Sequence, residues 1–289
     1  RMNWGSSIRS ISVGCSRRMS DVRQTNISNR TKNSSTNQDI SYVMGDKVLK
    51  IGSVHQCNCC MGSKTLHPLV SVIDLSKADL SSHTDFKFGF YTILLSECKY
   101  EAYRYGHQYY DFSDGTLLCL TPGESISMKD SDNTRPSKGW ILAFHPDLIC
   151  GTALGANIRD YTFFSYRPEE ALHVSLREKQ VILELLDKIN EELQRCIDCY
   201  SQKIISKYIE LLLDYCERFY ERQFITRNEA NKKIIERFDR LLDDHFNTIQ
   251  SQSSDLPTIE ECVRVLRLSP AYFNDLLEYE TGKSRSEEH

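Results

Sequence analysis

Residues 256–282 read LPTIEECVRVLRLSPAYFNDLLEYETG, and this stretch permits few local solutions. Thr258 followed three positions later by Glu261 has the form of a capping box, which satisfies backbone N–H groups that a first helical turn leaves unpaired. Ile259, Cys262, Val263 and Leu266 then recur at spacings that put them on one helical face. Arg267, Leu268 and Ser269 form a short turn. Ser269 suits an N-cap, and Pro270 suits the first helical position, where its missing N–H costs nothing. Tyr272, Phe273, Leu276 and Leu277 make a second apolar stripe, and Gly282 ends it because glycine tolerates positive φ. Two short amphipathic helices joined by about three residues fit a plain αα-hairpin and a helix-turn-helix alike.

Upstream the periodicity changes. Runs at 69–73, 86–95, 99–105, 116–120 and 140–144 carry β-branched and aromatic residues between Asp-Gly, Pro-Gly and Lys-Gly punctuation. Several short strands in series suggest a small antiparallel barrel or jelly roll. Two long helices follow. One carries Val181, Ile182, Leu185, Leu186, Ile189 and Leu193 as a stripe; the other carries Ile204, Ile205, Tyr208, Ile209, Leu212, Tyr215 and Phe219. Leu211, Leu212 and Leu213 in succession mean that at least one faces away from any single partner. A linker is expected near 225–228, a further helix over 231–249, and a break at 250–256, where the chain is polar and ends in Pro. Residues 1–47 are rich in Ser, Asn and Arg with few apolar residues, the composition of a disordered segment.

At 289 residues the chain has room for one or two domains. No run of 18 apolar residues appears, so no transmembrane helix is expected. No apolar signal-peptide core lies near the start, and eleven cysteines, an odd number, then point to free thiols in a reducing cytoplasm. The net charge is −4, and residues 227–289 hold nine Lys/Arg against thirteen Asp/Glu. Nucleic-acid affinity leans on cations that neutralise phosphates, so this region alone should hold DNA weakly.

The run LSPAYFNDLLEYETGKS resembles the first helix-turn-helix of the AraC/XylS family of bacterial transcription regulators. That family places Ser-Pro-x-Tyr-Phe at the start of its recognition helix and Glu-Thr-Gly-x-Ser at the end. The resemblance extends upstream to about Gly62. The segment from Asp114 to Gly123 and the pair Gly139-Trp140-Ile141 and Phe144-His145-Pro146-Asp147-Leu148 are similar to the family's cupin-like sensor domain. It implies an α+β chain in four parts: an unmatched, disordered segment at 1–61; a cupin-like antiparallel β-barrel sensor at 62–168; a helical hairpin for dimerisation at 169–225; and a partial all-α DNA-binding domain at 226–289. The family carries two helix-turn-helix units. One is found here, so a truncated copy or a fragment is expected.

The function so implied is a ligand-responsive, cytoplasmic, homodimeric DNA-binding regulator, with no catalysis, no cofactor and no membrane partner. Aligned on Glu280-Thr281-Gly282, the base-facing positions are Ala271, Asn274 and Asp275, with Lys283 and Arg285 as phosphate partners. The dimer contact falls on the second long helix, at Ile205, Ile209 and Leu212; packing on the chain's own barrel would use the same stripes, and both can hold. Tyrosines cluster around His107, and aromatics with polar tips suit a small-molecule effector; Tyr103, His107 and Trp140 are the pocket candidates. A packed barrel interior with exposed tyrosines is the competing reading.

Two other functions stay open. A truncated sensor or dimerisation protein would lack effective DNA binding. A metal-dependent cupin enzyme would need inward imidazoles, but Pro122-Gly123 is followed by Glu124, Ser125, Ile126 and Ser127, and His83, His107 and His145 lie far apart. His55, Cys57, Cys59 and Cys60, with His67 nearby, lack the paired spacing of structural zinc sites, and Cys196 with Cys199 reads as ordinary helix positions, so no metal ligand is assigned.

Overall fold

The computed structural model describes residues 48–78, 85–96, 112, 114–127, 138–249 and 259–282. They form a mixed α+β chain with two sheets and eight α-helices among these residues. Three strands, β1 (Val48–Ile51), β3 (Asp85–Phe88) and β6 (Ser125–Ser127), make the smaller sheet in the order β1-β3-β6, with β1 parallel to β3. Five strands make the larger, antiparallel sheet: β2 (Val70–Asp74), β4 (Tyr91–Ser96), β5 (Gly115–Leu120), β7 (Gly139–Phe144) and β8 (Leu172–Val174), in the order β2-β7-β4-β5-β8. The two sheets share an apolar layer and do not join into a closed barrel among the described residues.

The central strands are covered on both faces. On β4, Leu94 packs with Ile51, Phe86, Phe88 and Ile126 of the smaller sheet, while Ile93 and Leu95 turn to the helices. Double coverage explains why YTILLS, GTLLCL and GWILAF read as nearly unbroken apolar runs. The expected single strand over 86–95 is two strands in different sheets. The chain crosses at Gly89, whose N–H donates to the Ile51 carbonyl at 2.8 Å; an added Cβ would lie 3.3 Å from the Gly52 backbone. The segment expected to be unmatched and disordered also has structure within it. β1 and the helix α1 (Val54–Cys60) precede residue 61, and Ile51, Val54, Cys57 and Met61 are buried. The expected strand over 99–105 lies outside the described residues.

Two short helices, α2 (Pro146–Ile149) and α3 (Ala153–Asn157), and 3-10 turns at Thr162–Ser165 and Pro168–Glu170 lead from β7 into β8. Then come the long helices α4 (Leu176–Leu193) and α5 (Ser201–Thr226). Ser175 and Glu178 form a capping box that starts α4. Glu178 also takes a two-pronged ion pair from Arg222 of α5, with Nε and Nη2 each 2.9 Å from a carboxylate oxygen. Cys196 and Cys199 sit in the α4–α5 loop, not on a helix. The expected linker near 225–228 shrinks to one residue, Arg227, before α6 (Asn228–Ile249). The last pair is α7 (Ile259–Leu266) and α8 (Pro270–Thr281). Ser269 caps α8 by accepting the Tyr272 N–H, and Gly282 closes it at φ 66°. Thr258 lies outside the described residues. No helix among the described residues is long and apolar enough to cross a membrane.

Gln223 shows how α5 fastens the sheet edge. Its side chain is 1% exposed, accepts the His173 N–H at 2.8 Å and donates to the Ala171 carbonyl at 3.2 Å. The amide thereby substitutes for a neighbouring strand beside β8. Gln223→Leu keeps the volume but strands two buried backbone groups, each costing about 1–3 kcal/mol. Chemical unfolding should show a loss of that order, and a midpoint equal to wild type would mean the edge has another partner.

Candidate functional site at the docking seam of the last helix

The last helix is fixed to the sheet-bearing body by two carboxylates, one from each side. Glu170, at the end of the second 3-10 turn, is 3% exposed. It accepts the Ser269 N–H at 2.6 Å, the Ser269 hydroxyl at 2.5 Å and the Arg167 N–H at 2.7 Å. Burial pushes its pKa above the ordinary carboxylate value, and the donors from Ser269 and Arg167 partly offset this. The residue that caps α8 is therefore itself held by a buried side chain of the body.

Asp275, nearly two turns further along α8, supplies the second tie. It accepts hydrogen bonds from the Thr162 hydroxyl at 2.5 Å and the Tyr166 hydroxyl at 2.6 Å. Burial, then the Asp275 charge, drives the Tyr166 phenol well above its usual pKa, so this hydroxyl keeps its proton and donates. Aromatic rings fill the space between the ties. Tyr166 meets Tyr220 and Tyr272 edge-on, each at 5.1 Å, and Phe224 of α5 packs on Tyr272 and Tyr279 of α8. Behind α8, Phe273 meets Phe238 of α6 at 4.9 Å.

Beside this contact lies a cavity of about 340 Å³, lined by Thr162, Tyr220, Glu217, Asp275 and Tyr279 among others. It opens at the seam, away from the layer between the sheets where an effector pocket was expected. Of the expected pocket residues, Tyr103 and His107 lie outside the described residues. Trp140 is on the other face of β7 from that layer, packed with Leu142 and Phe144 on the helix side. Strand alternation decides this, since Ile141 and Ala143 are the residues that face the smaller sheet.

The expected base-facing residues take different positions. Asp275 is engaged by Thr162 and Tyr166, and Ala271 packs against the core, so neither is presented as a free edge for a base. Asn274 is half-buried. Lys283 and Arg285 lie outside the described residues. The expected dimer residues are corrected more sharply. Ile205, Ile209 and Leu212 are at most 1% exposed because they fill the chain's own core beneath α5. The outward apolar residues on that helix are Ile204, Leu211, which is 43% exposed, and Ile225 near its end.

Of the histidines weighed for a metal, His83 and His107 lie outside the described residues, and His145 caps α2 by accepting the Asp147 N–H. Among the described residues, no group of three or more His, Cys, Asp or Glu side chains is arranged to hold a metal ion. Glu170, Thr162 and Tyr166 have no signature in the sequence. The second of two glutamates after Pro168 and a tyrosine before Arg167 carry no local pattern; their roles depend on contacts about a hundred residues away in sequence. The sequence matches no protein-family model, and no curated protein matches it.

Glu217 registers the electrostatics of the cavity. Glu217 is exposed, and its partial desolvation at the cavity wall raises its pKa above 4.5, with the charges of Asp214, Glu221, Asp275 and Asp160 raising it further. An acid whose pKa is higher folded than unfolded holds its proton more tightly in the fold. Its charged form therefore subtracts from stability, and that loss is recovered as pH falls from the raised value toward 4.5. Glu217→Gln should raise the urea midpoint at neutral pH and reduce the stability gained on acidifying to about pH 5. Parallel pH profiles for the variant and wild type would show that solvent already neutralises the group.

Proposed function

We propose that this chain is a helix-turn-helix DNA-binding transcription regulator, with α7 and α8 as the DNA-reading unit and the two-sheet body as a cupin-like sensor. The resemblance of LSPAYFNDLLEYETGKS to the AraC/XylS family names the class. The observation that carries the reading is the helical pair itself: α7 and α8 joined through Arg267 at φ 61°, with Ser269 capping and Gly282 terminating α8 as a compact recognition helix requires. In this arrangement the face of α8 that bears Ala271 and Asp275 is spent on the body. DNA binding then requires α8 to leave the seam, and the docked form is the resting one. A small-molecule effector would act by shifting that balance, because a ligand moves an equilibrium only through its different affinity for the two states.

The partners follow from the same surfaces. Residues 227–289 carry more acid than base, so one copy has little phosphate-neutralising charge and two copies acting together are needed. The exposed Ile204 and Leu211 and the half-buried Tyr208 and Tyr215 repeat at four, three and four residues, the 3.5-residue period of a two-helix seam. A two-fold homodimer along this stripe takes the place of one through Ile205, Ile209 and Leu212. Leu211→Glu should convert a dimer to a monomer in sedimentation with the fold intact by circular dichroism; a wild-type chain that sediments as a monomer at micromolar concentration removes this interface.

Undocking is tested from the body side, leaving α8 untouched. Thr162→Val with Tyr166→Phe deletes both donors to Asp275. Selection from a randomised duplex pool, followed by fluorescence anisotropy at low and moderate salt, should give about tenfold or greater tightening over wild type, since the competent fraction scales the apparent affinity. If neither protein selects a sequence, the chain is a sensor or dimerisation protein without effective DNA binding.

A further inference from the structure

Helix α1 carries three cysteines in four positions, and their surroundings separate them. Cys57 is fully buried, and burial pushes its thiol up to about 12. Cys60 is half-buried, and its thiol is raised for the same reason. Cys59 is exposed. One turn back on the same helix, the His55 Nε2 lies 3.6 Å from the Cys59 Sγ, and the His55 Nδ1 lies 2.9 Å from the Thr65 Oγ1.

The imidazole is anchored through a chain of bonds into the sheet. Thr65 Oγ1 accepts from the Asn58 side-chain amide at 3.2 Å, and Asn58 Oδ1 accepts from the Ser71 hydroxyl at 2.7 Å. Asn58 is fully buried, and Ser71 belongs to β2. A hydroxyl oxygen has two lone pairs, so Thr65 can take the Asn58 N–H and the His55 Nδ1–H together. That tautomer leaves Nε2 as the acceptor facing the thiol. Nucleophile, base and orienting group are thus in hydrogen-bonding sequence, as nucleophilic activation requires. His67 is not part of this chain: its Nδ1 accepts the Leu69 N–H.

We propose that Cys59 is a reactive thiol, activated by His55, that undergoes exchange with a low-molecular-weight disulfide. The S–H proton passes to the His55 Nε2, and the sulfur attacks one sulfur of the disulfide. A new S–S bond forms to Cys59 as the old S–S bond breaks, and the departing thiolate takes the proton from the imidazolium. No electrons are gained or lost overall; the incoming disulfide is the oxidant. Thr65 is a positioning residue that fixes the ring. The carbonyl end of α1 gives a negative sulfur no support, so the imidazole carries the activation.

The chain contains its own controls. Cys150, Cys196 and Cys199 are also exposed, and none has an imidazole partner among the described residues. The experiment treats full-length protein with glutathione disulfide and follows each cysteine by peptide mass mapping over time. Cys59 should form its mixed disulfide at least about tenfold faster than the three controls, a modest share of what a positioned base supplies. His55→Gln should bring it to their rate. Thr65→Val should slow it, and Thr65→Ser should restore it, which a merely structural role for Thr65 would not predict. The proposal is overturned if Cys59 reacts no faster than Cys196, or if its rate is unchanged in His55→Gln while circular dichroism shows the fold retained.

Discussion

A buried carboxylate sets the arrangement of the C-terminal half. Glu170 is held out of water at the end of a 3-10 turn, where an ionised side chain is stable only with its oxygens saturated by donors. Two of those donors are the N–H and hydroxyl of Ser269, the residue that starts α8. The same serine oxygen receives the Tyr272 N–H as the helix cap. One side chain therefore caps the start of α8 and ties it to the body. Withdrawing α8 would break both bonds to Glu170, and the carboxylate would recover hydration as it was exposed. The cost of burying the carboxylate offsets part of what these contacts gain.

That joint rests on a rigid platform. The large sheet is sandwiched between the smaller sheet and the long helices, and α5 touches both the sheet edge and α8. Arg222 and Gln223, neighbours on α5, bind Glu178, the His173 carbonyl and the Ala171 carbonyl. The next residue, Phe224, packs against Tyr272 and Tyr279. A shift of α5 would thus be felt at β8 and at α8 together. The physical link between sheet and seam is one helix with adjacent residues committed to each side.

Where the sequence was legible, local chemistry did the specifying. Ser269, Pro270 and Gly282 act through their own backbone preferences, and the structure uses each as its type suggests. The stripe on α4 is buried as its period required, with Ile182, Leu185, Leu186, Ile189 and Leu193 inside. What was not legible depends on distant partners. The strand runs were apolar at nearly every position, so their pattern could not say that Trp140 faces helices while Ile141 faces a second sheet. The stripe on α5 was correct as a stripe, but its inner residues Ile205, Ile209 and Leu212 serve the chain's own core. Periodicity identifies a buried face without naming what buries it. Asp275 reads as a base-facing acid because its donors, Thr162 and Tyr166, are far away in sequence.

The seam also gives meaning to the acidic charge of the last 63 residues, counted from Arg227. An acid on a recognition helix opposes phosphate, which is a cost if the helix only ever meets DNA. If the helix spends most of its time against the body, the same acid is an acceptor there and lowers the energy of the docked form. Under the proposed function, Asp275 could not serve two partners at once, so body and DNA would compete for one face. Apparent affinity for DNA would then equal the intrinsic affinity scaled by the undocked fraction. Weak binding by a docked chain and strong binding by an undocked one would be two readings of a single equilibrium. Its set-point would lie in the hydrogen bonds of Asp275 and Glu170 rather than in the protein–DNA contacts themselves.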